Sequence, residues 1–451
     1  MQRLWVIIIV LFSGVSVGAA ASLTIDEAVR EAMENNPLIH QDEAYRQAAS
    51  FGEREARSDF FPRLSAAYTY QNLAESPFVN IYGNQVITNS REQHHWEVAL
   101  TQPVFSGFGI SARHHLAELG LETRKLELQQ TRQSVMLQVR QRCFDLLMAQ
   151  RTLKVAESSD AALAAHEADV RKFHENGLVP LNDLLKAQVA RADSLQQRHR
   201  AEAGVKNVRS ALCLLLGRNY ASDIEIVDVD PSMPMTTALN DQVQQALKAR
   251  PEVAVLKQSI QSKVNEALLA KSDYYPRIDL LGKYQQNGDD LGASNNDYSN
   301  QYNASLGVQA HWTFFEFGKT RARSAKVHSE QRALAQALEK IMDDIRLQVV
   351  QARLDLDVAA NNIGTARTAL DQAREHWRIT NLLYQQQLTT STEVLDARSY
   401  LDRAENAYFE ARYGYGKANA RLAWAMGKQN SDDGGQKSAG NHIELTTGAG
   451  R

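Results

Sequence analysis

Ser58-Asp-Phe-Phe-Pro-Arg-Leu64 returns 214 residues later as Ser272-Asp-Tyr-Tyr-Pro-Arg-Ile278, and Asn36-Pro37 returns at the same offset as Arg250-Pro251. Further along, Asn182-Asp-Leu-Leu-Lys-Ala187 recurs 210 residues on as Thr392-Glu-Val-Leu-Asp-Ala397, and Leu216-Gly217 as Met426-Gly427. Landmarks that recur in order at a nearly constant spacing mean two diverged copies of one unit, and such a repeat decides the architecture before any local motif is weighed. The copies are expected at 22–230 and 231–428, preceded by residues 1–21 and followed by a tail at 429–451.

The heptapeptide also marks a change of period. Before it, Thr24 to Asn35 reads as a helix opened by Thr24 with Glu27 three residues on, a capping-box spacing. Asn36-Pro37 interrupts that helix, which resumes to about Ser58 and stops at Pro62, because proline steers the preceding residue away from the α region. Beyond it the period is 2. Leu64, Ala66, Tyr68 and Tyr70 alternate with Ser65, Ala67, Thr69 and Gln71, and Trp96, Val98 and Leu100 alternate with Glu97, Ala99 and Thr101. The second copy sets Ile278, Leu280, Gly282 and Tyr284 against Asp279, Leu281, Lys283 and Gln285. It then sets Tyr302, Ala304, Leu306, Val308 and Ala310 against Asn303, Ser305, Gly307, Gln309 and His311. Polar, Gly- and Asn-rich loops at 72–92 and 287–300 join these strands into hairpins at about 63–104 and 277–313. Strands with one apolar and one polar face are the pattern of membrane-spanning β-strands, and the Tyr and Trp at their ends suit an interfacial belt. Two soluble, half-buried hairpins share that periodicity.

After Gly109 and again after Gly318 a helical pattern runs free of proline to Glu175 and Gln385. About 65 residues rising 1.5 Å each make a rod of roughly 100 Å, more than an ordinary globular core accommodates. Turns at Asn176–Pro180 and Gln386–Ser391 lead into returning helices of about 35 residues. The long helical hairpins thus span about 109–217 and 318–427. Ile224 to Val229 reads as a short strand, Asp230 to Pro234 as a linker, and the Gly/Ser/Asp-rich tail as disordered.

Four strands cannot close a barrel, for which about eight is the minimum, and an open sheet edge in lipid leaves backbone groups unpaired at several kcal/mol each. Strands that enter a membrane must therefore be shared among chains. Three copies would supply twelve strands and a ring of twelve long helices around a pore.

Arg3, the apolar run Leu4 to Val17 and Ala19-Ala20-Ala21 form a secretion signal with cleavage before Ser22; an N-terminal anchor is the alternative, although the run is short of the ~20 residues that span a bilayer. The whole chain has 50 basic and 53 acidic side chains, and removal of Arg3 with the signal leaves a net charge of −4. Interspersed charges of that balance argue against a nucleic-acid partner.

Taken in order, Leu23-Thr-Ile-Asp-Glu-Ala with Asn35-Asn-Pro37, Phe60-Phe-Pro-Arg-Leu64, Gln102-Pro-Val-Phe-Ser-Gly107, Gly177-Leu-Val-Pro-Leu-Asn-Asp-Leu-Leu-Lys-Ala-Gln188, Trp312-Thr-Phe-Phe-Glu-Phe-Gly318 and Glu393-Val-Leu-Asp-Ala-Arg398 resemble the TolC-like outer-membrane efflux protein family. The resemblance covers Leu23 to about Lys428. It implies a mainly α-helical chain with a membrane β-barrel, built as a homotrimer with a twelve-stranded barrel in outer-membrane lipid and a twelve-helix periplasmic tunnel. It implies a periplasmic adaptor and an inner-membrane transporter of the RND, ABC or MFS type as partners, in efflux or type I secretion. By the same resemblance, Gly177, Leu178 and Val179, with Leu388 and Thr389 in the second turn, are adaptor contacts. Asp183 and Tyr384 match a polar lock between hairpins, and Glu393 and Asp396 match a carboxylate ring at the tunnel constriction. Thr389 stands where the family has arginine and Gln387 where it has glycine. A charge-assisted bond is then missing, and the resting gate is held differently or less tightly. Without the resemblance, Glu393 and Asp396 read as ordinary helix-start acids favoured by the dipole.

Other signals point elsewhere. Gly107-Phe-Gly-Ile-Ser-Ala112 fits a dinucleotide fingerprint, but a helix of some 65 residues follows instead of a βαβ unit, so the glycines read as a strand-to-helix bend. His94-His95 and His114-His115 lack a carboxylate or thiol at metal-ligand spacing, and no metal or other cofactor is expected. No nucleophile motif appears, and no enzyme is expected. Cys143 and Cys213 lie equally far from the turn at Leu178, hence at one height on adjacent antiparallel helices. In an oxidising compartment they form a disulfide, or else stay two buried thiols facing apart. The chain is expected to be a passive exit duct gated at its periplasmic mouth. The alternative is a periplasmic coiled-coil scaffold or adaptor.

Overall fold

The structure is a computed structural model that describes residues 21–228 and 238–428. The expected signal sequence up to residue 20, the linker and the tail lie outside the described residues. The first copy runs β1 (Ala21–Leu23), α1 (Ile25–Asn35), α2 (Pro37–Ser58), β2 (Arg63–Asn72), β3 (Phe78–Ile81), β4 (Asn84–Ile87), β5 (Glu92–Phe105), α3 (Gly109–Glu175), α4 (Leu181–Leu215) and β6 (Ile224–Ile226). The second runs α5 (Leu239–Ala249), α6 (Pro251–Lys271), β7 (Arg277–Gly288), β8 (Tyr302–His311), α7 (Lys319–Gln385) and α8 (Ser391–Ala425). Helices α3 and α7 both have 67 residues, and α4 and α8 both have 35.

The helix boundaries follow the sequence signals. Thr24 caps α1: its side chain accepts from the Glu27 backbone N–H, and the Glu27 carboxylate accepts from the Thr24 N–H at 2.8 Å. Pro37 occupies the first position of α2, where its missing N–H costs nothing. Both bends into the long helices use left-handed backbone, at Gly107 and Phe108 and again at Phe317 and Gly318, as expected for a strand-to-helix corner.

Two compact units interleave in sequence, and each draws on both copies. One comprises residues up to Asn36, Gln133–Arg250 and from Ile345 onward; the other comprises Pro37–Arg132 and Pro251–Asp344.

In the first unit, β1 pairs in parallel with β6, Leu23 beside Ile226. The short strand expected at 224–229 is present as Ile224–Ile226, and its partner strand is one that periodicity did not reveal. Here the repeated landmarks meet one another. The Asn36 side-chain amide donates to the Leu215 carbonyl at 2.7 Å, and Gly217 packs on Asn35. In the second copy Gly427 packs on Ala249, while the Arg250 guanidinium lies 4.1 Å from the centre of the Trp424 ring. Each proline-marked corner thus seats the end of its own copy's helical hairpin.

In the second unit, β2, β5, β7 and β8 form one antiparallel sheet in that order. The register sets Leu64 against Leu100, Tyr68 against Trp96, Val98 against Tyr284, Leu280 against Val308 and Tyr284 against Ala304. Residues directly opposite share a face, so the four alternations seen in the sequence merge into one apolar, Tyr/Trp-bearing face. The other face is polar and carries the Glu97–Lys283 ion pair at 2.6 Å. Every residue of β2 and of β8 is exposed; neither edge strand is covered on either face. The 72–92 loop also holds an unforeseen hairpin, β3 with β4, turning through Tyr82 and Gly83 at φ +50° and +85°.

The predicted Cys143–Cys213 disulfide is absent, and both thiols are free and buried. Equal height is not enough: Cys213 Sγ turns to the Ser222 carbonyl in the segment after α4, at 3.4 Å. Burial pushes the Cys143 thiol up to about 12, so it is inert as a thiolate.

Gly177 and Gly217 both end helices at positive φ, +71° and +74°, but a Cβ on Gly217 would lie 2.4 Å from the Asn35 carbonyl oxygen, whereas one on Gly177 meets nothing within 4 Å. Gly177→Ala should therefore cost only the left-handed backbone, about 1–2 kcal/mol. Gly217→Ala should cost clearly more, read as a larger fall in the thermal midpoint; equal falls would contradict the Asn35 contact.

Candidate functional site

The tips of the two helical hairpins lie in the first unit and are built alike. At the first, the Gly177 N–H donates to the His174 carbonyl and the Leu178 N–H to Phe173, at 2.9 and 2.8 Å. At the second, Gln387 donates to Tyr384 and Leu388 to Leu383, also at 2.9 and 2.8 Å. Both are Schellman-type caps, which need a left-handed residue after the helix. Gln387 fills that role at φ +60°. The tip geometry survives the loss of glycine at a cost of about 1–2 kcal/mol in backbone strain. Leu178 and Leu388 stand exposed at equivalent positions, 55% and 69% accessible, while Val179 and Thr389 are half-buried.

Behind the tips the hairpins grip each other. Tyr384 of α7, 3% exposed, packs with Val170 of α3, Leu184 and Ala187 of α4 and Val394 of α8; Phe173, Val179 and Trp377 close over the cluster. His166 of α3 lies edge-on to the Tyr384 ring, centroids 4.8 Å apart, and its Nε2 bonds the Ser391 hydroxyl at 2.8 Å. Burial holds the His166 imidazole below its usual range, so it sits there neutral. Deeper along the hairpins, the Ser159 hydroxyl donates to Asp402 at 2.6 Å, and Asp402 pairs with the buried Arg398, also at 2.6 Å. Burial raises the Asp402 carboxyl. Glu167 bridges Arg171 and Arg191, tying α3 to α4.

The two residues expected in the polar lock, Asp183 and Tyr384, sit in different surroundings. Asp183 is half-buried, with Lys186 Nζ 4.0 Å from its carboxylate. Burial, with Asp183 and Asp169 nearby, pushes the Tyr384 hydroxyl up to about 12. Ser391 is taken by His166, and the Tyr384 oxygen beside it has no well-formed hydrogen bond. Within this chain the Tyr384 ring packs as an apolar wedge between the hairpins. A tyrosine in a family lock motif reads as polar from sequence, and the apolar packing of its ring is seen only in the fold. Glu393 sits three residues after the cap Thr390, whose hydroxyl accepts from the Glu393 N–H at 3.4 Å. Asp396 follows on the same side, and both carboxylates are exposed. The sequence reading overlooked a stripe beside the first tip: Leu181, Leu185 and Val189 of α4, exposed at four-residue spacing. Its signal was that spacing.

One residue class set aside in the sequence is assembled elsewhere. In the second unit, Glu118 brings a carboxylate to both His114 and His115, correcting the expectation that this pair lacks a third ligand.

The family model described as outer membrane efflux protein matches residues 28–218 and again 242–428, and the two matches begin 214 and end 210 residues apart. The "Outer membrane protein TolC" of Vibrio cholerae is 22% identical over 94% of this chain and 96% of its own. The "Cobalt-zinc-cadmium resistance protein CzcC" of Cupriavidus metallidurans is 24% identical over 68% and 71%. Among solved structures, the Campylobacter jejuni CmeC outer membrane channel superposes with a TM-score of 0.78 at 14% identity, covering 89% of this chain and 85% of that one. The last likeness speaks to fold alone.

Removing the Tyr384 hydroxyl should leave the hairpins in place, since an unsatisfied buried group contributes nothing favourable. Truncating the ring should cost roughly 3–5 kcal/mol. Hydrogen exchange over Val170–Ala187 and Val394–Leu401 should thus be unchanged in Tyr384→Phe and much faster in Tyr384→Ala. Equal acceleration in both variants would contradict the apolar role of the ring.

Proposed function

Because the chain belongs to the outer membrane efflux protein family and resides in the outer membrane, we propose that it works as a homotrimeric exit duct whose twelve shared strands close one barrel. Family members are channels, not enzymes, and transport here asks no bond chemistry of the chain. The observation that carries the trimer is the sheet: four strands, two unpaired edges, one continuous apolar face and nothing packed over the edge strands. In lipid, unpaired edges are untenable. Twelve strands from three copies remove them, and the apolar face then meets the acyl chains while the polar face lines a lumen. A soluble scaffold would need to bury that apolar face, and the bare edge strands count against it.

The hairpin tips form the gated mouth, engaged by a periplasmic adaptor and an inner-membrane transporter. The exposed Leu178 and Leu388, presented on rigid caps, are the docking points. Glu393 and Asp396 supply an acidic constriction, and opening proceeds by sliding α7 and α8, with Tyr384 and Val394, away from Val170 of α3 and Leu184 and Ala187 of α4. With Thr389 in place of arginine, closure rests on this apolar packing and the His166–Ser391 bond.

Leu306→Arg places a charge on the lipid side, at about 2–4 kcal/mol near the bilayer midplane, whereas Ser305→Arg faces the lumen. The first should abolish heat-modifiable trimers in the outer-membrane fraction and the second should spare them; equal tolerance of both would refute the barrel. Leu178→Asp with Leu388→Asp should leave trimers intact yet abolish export and adaptor cross-linking. Unimpaired export would remove the tips from the docking surface.

A further inference from the structure

A cluster of metal-ligand side chains stands on the opening turns of α3. Glu118 follows His114 by four residues and His115 by three, so on the helix surface its carboxylate falls between the two rings. Its oxygens lie 3.6 Å from His114 Nδ1 and 2.8 Å from His115 Nδ1, and one ligand atom from each of the three residues lies within 4.8 Å of the others. Ligands bound at about 2.0–2.1 Å around a tetrahedral ion sit roughly 3.3 Å apart, so side-chain rotation alone reaches coordination distance.

His114 is held as a ligating imidazole is held. Its second nitrogen, Nε2, lies 3.2 Å from Glu53 Oε1 on α2, and the Phe60 ring meets it edge-on at 5.7 Å. A carboxylate behind a histidine fixes the tautomer and orients the ring toward the metal. With the proton on Nε2 facing Glu53, the lone pair of Nδ1 faces Glu118. The neighbouring cation is turned elsewhere, because Arg113 bonds Asp59 at 2.7 Å. His114 is 17% exposed and anchored, whereas His115 and Glu118, at 59% and 48%, are open to an ion from solvent. The other histidine pair has no such arrangement: His94 and His95 alternate across β5, His94 contacting Tyr68 and His95 contacting Asn287 and the Glu97 carboxylate, and among the described residues no carboxylate is placed against both rings.

We propose that His114, His115 and Glu118 bind a divalent transition metal, with Glu53 as the positioning residue behind His114. Two imidazoles and one carboxylate favour Zn²⁺, Co²⁺, Ni²⁺ or Cu²⁺ over Ca²⁺ and Mg²⁺, which take all-oxygen sites. Three protein ligands leave a coordination position free for water or an exchanging ligand.

The test uses tag-free, full-length protein in detergent, with Zn²⁺ titrated against a chromophoric chelator and Co²⁺ followed by its visible absorption. One ion per chain is expected. His115→Ala and Glu118→Gln should each weaken Zn²⁺ at least tenfold and abolish the Co²⁺ bands, without altering the thermal midpoint of the metal-free protein. Glu53→Gln should weaken binding about 10–100-fold while retaining the bands. Failure of the unaltered protein to bind near-stoichiometric Zn²⁺, or affinities equal across the variants, would overturn the site. Unchanged binding in Glu53→Gln alone would overturn the positioning role.

Discussion

A sheet with two bare edges and one apolar face cannot be an end state, in water or in lipid. In water the apolar face needs cover, which the edge strands lack entirely. In lipid the edges need partners, because no solvent is present to satisfy their N–H and C=O groups. Further strands on the same sheet solve both problems, and further copies of this chain are the proposed source. The rest of the molecule fits that requirement. The proline-marked corners seat each helical hairpin at its base, the left-handed bends at Gly107 and Phe317 turn strand into helix, and the caps at Gly177 and Gln387 present matched tips.

The repeat has a further consequence. The copies do not fold as separate bodies: β5 of the first pairs with β7 of the second, whereas β1 and β6, both of the first copy, pair with each other. Yet the contacts that end each hairpin, Gly217 on Asn35 and Gly427 on Ala249, stay within one copy. Duplication thus preserved the local corner and divided the sheet evenly, two long strands from each half. The tips differ in sequence, with glycine at the left-handed position of one and glutamine at that of the other, and both keep the turn.

Much of this was legible in the chain. Absence of proline over 109–175 and 319–385 located the long helices, and period-2 alternation located four strands on a common face. Height along a hairpin could be read, but not the direction in which a side chain points. That is why the equal heights of Cys143 and Cys213 leave both a disulfide and two thiols facing apart open, of which the structure has the free pair, and why the apolar packing of the Tyr384 ring is not legible in the chain. It also hid Glu118, which joins His114 and His115 only through helix geometry. Two elements were missed because they are short: β1, whose three residues begin at the end of the expected secretion signal, and the β3–β4 hairpin, where four-residue strands carry too little alternation to register.

The central claim is that β2 of one chain meets β8 of another. Within one chain these edges are separated by β5 and β7, a span of roughly 14 Å at the usual strand spacing, so no disulfide can join them internally. Single cysteines introduced along β2 and along β8 of the same chain, scanned in pairs and oxidised in the outer membrane, test this directly. At one register the account predicts covalent closure into a species of three chains. Monomers at every register would contradict it.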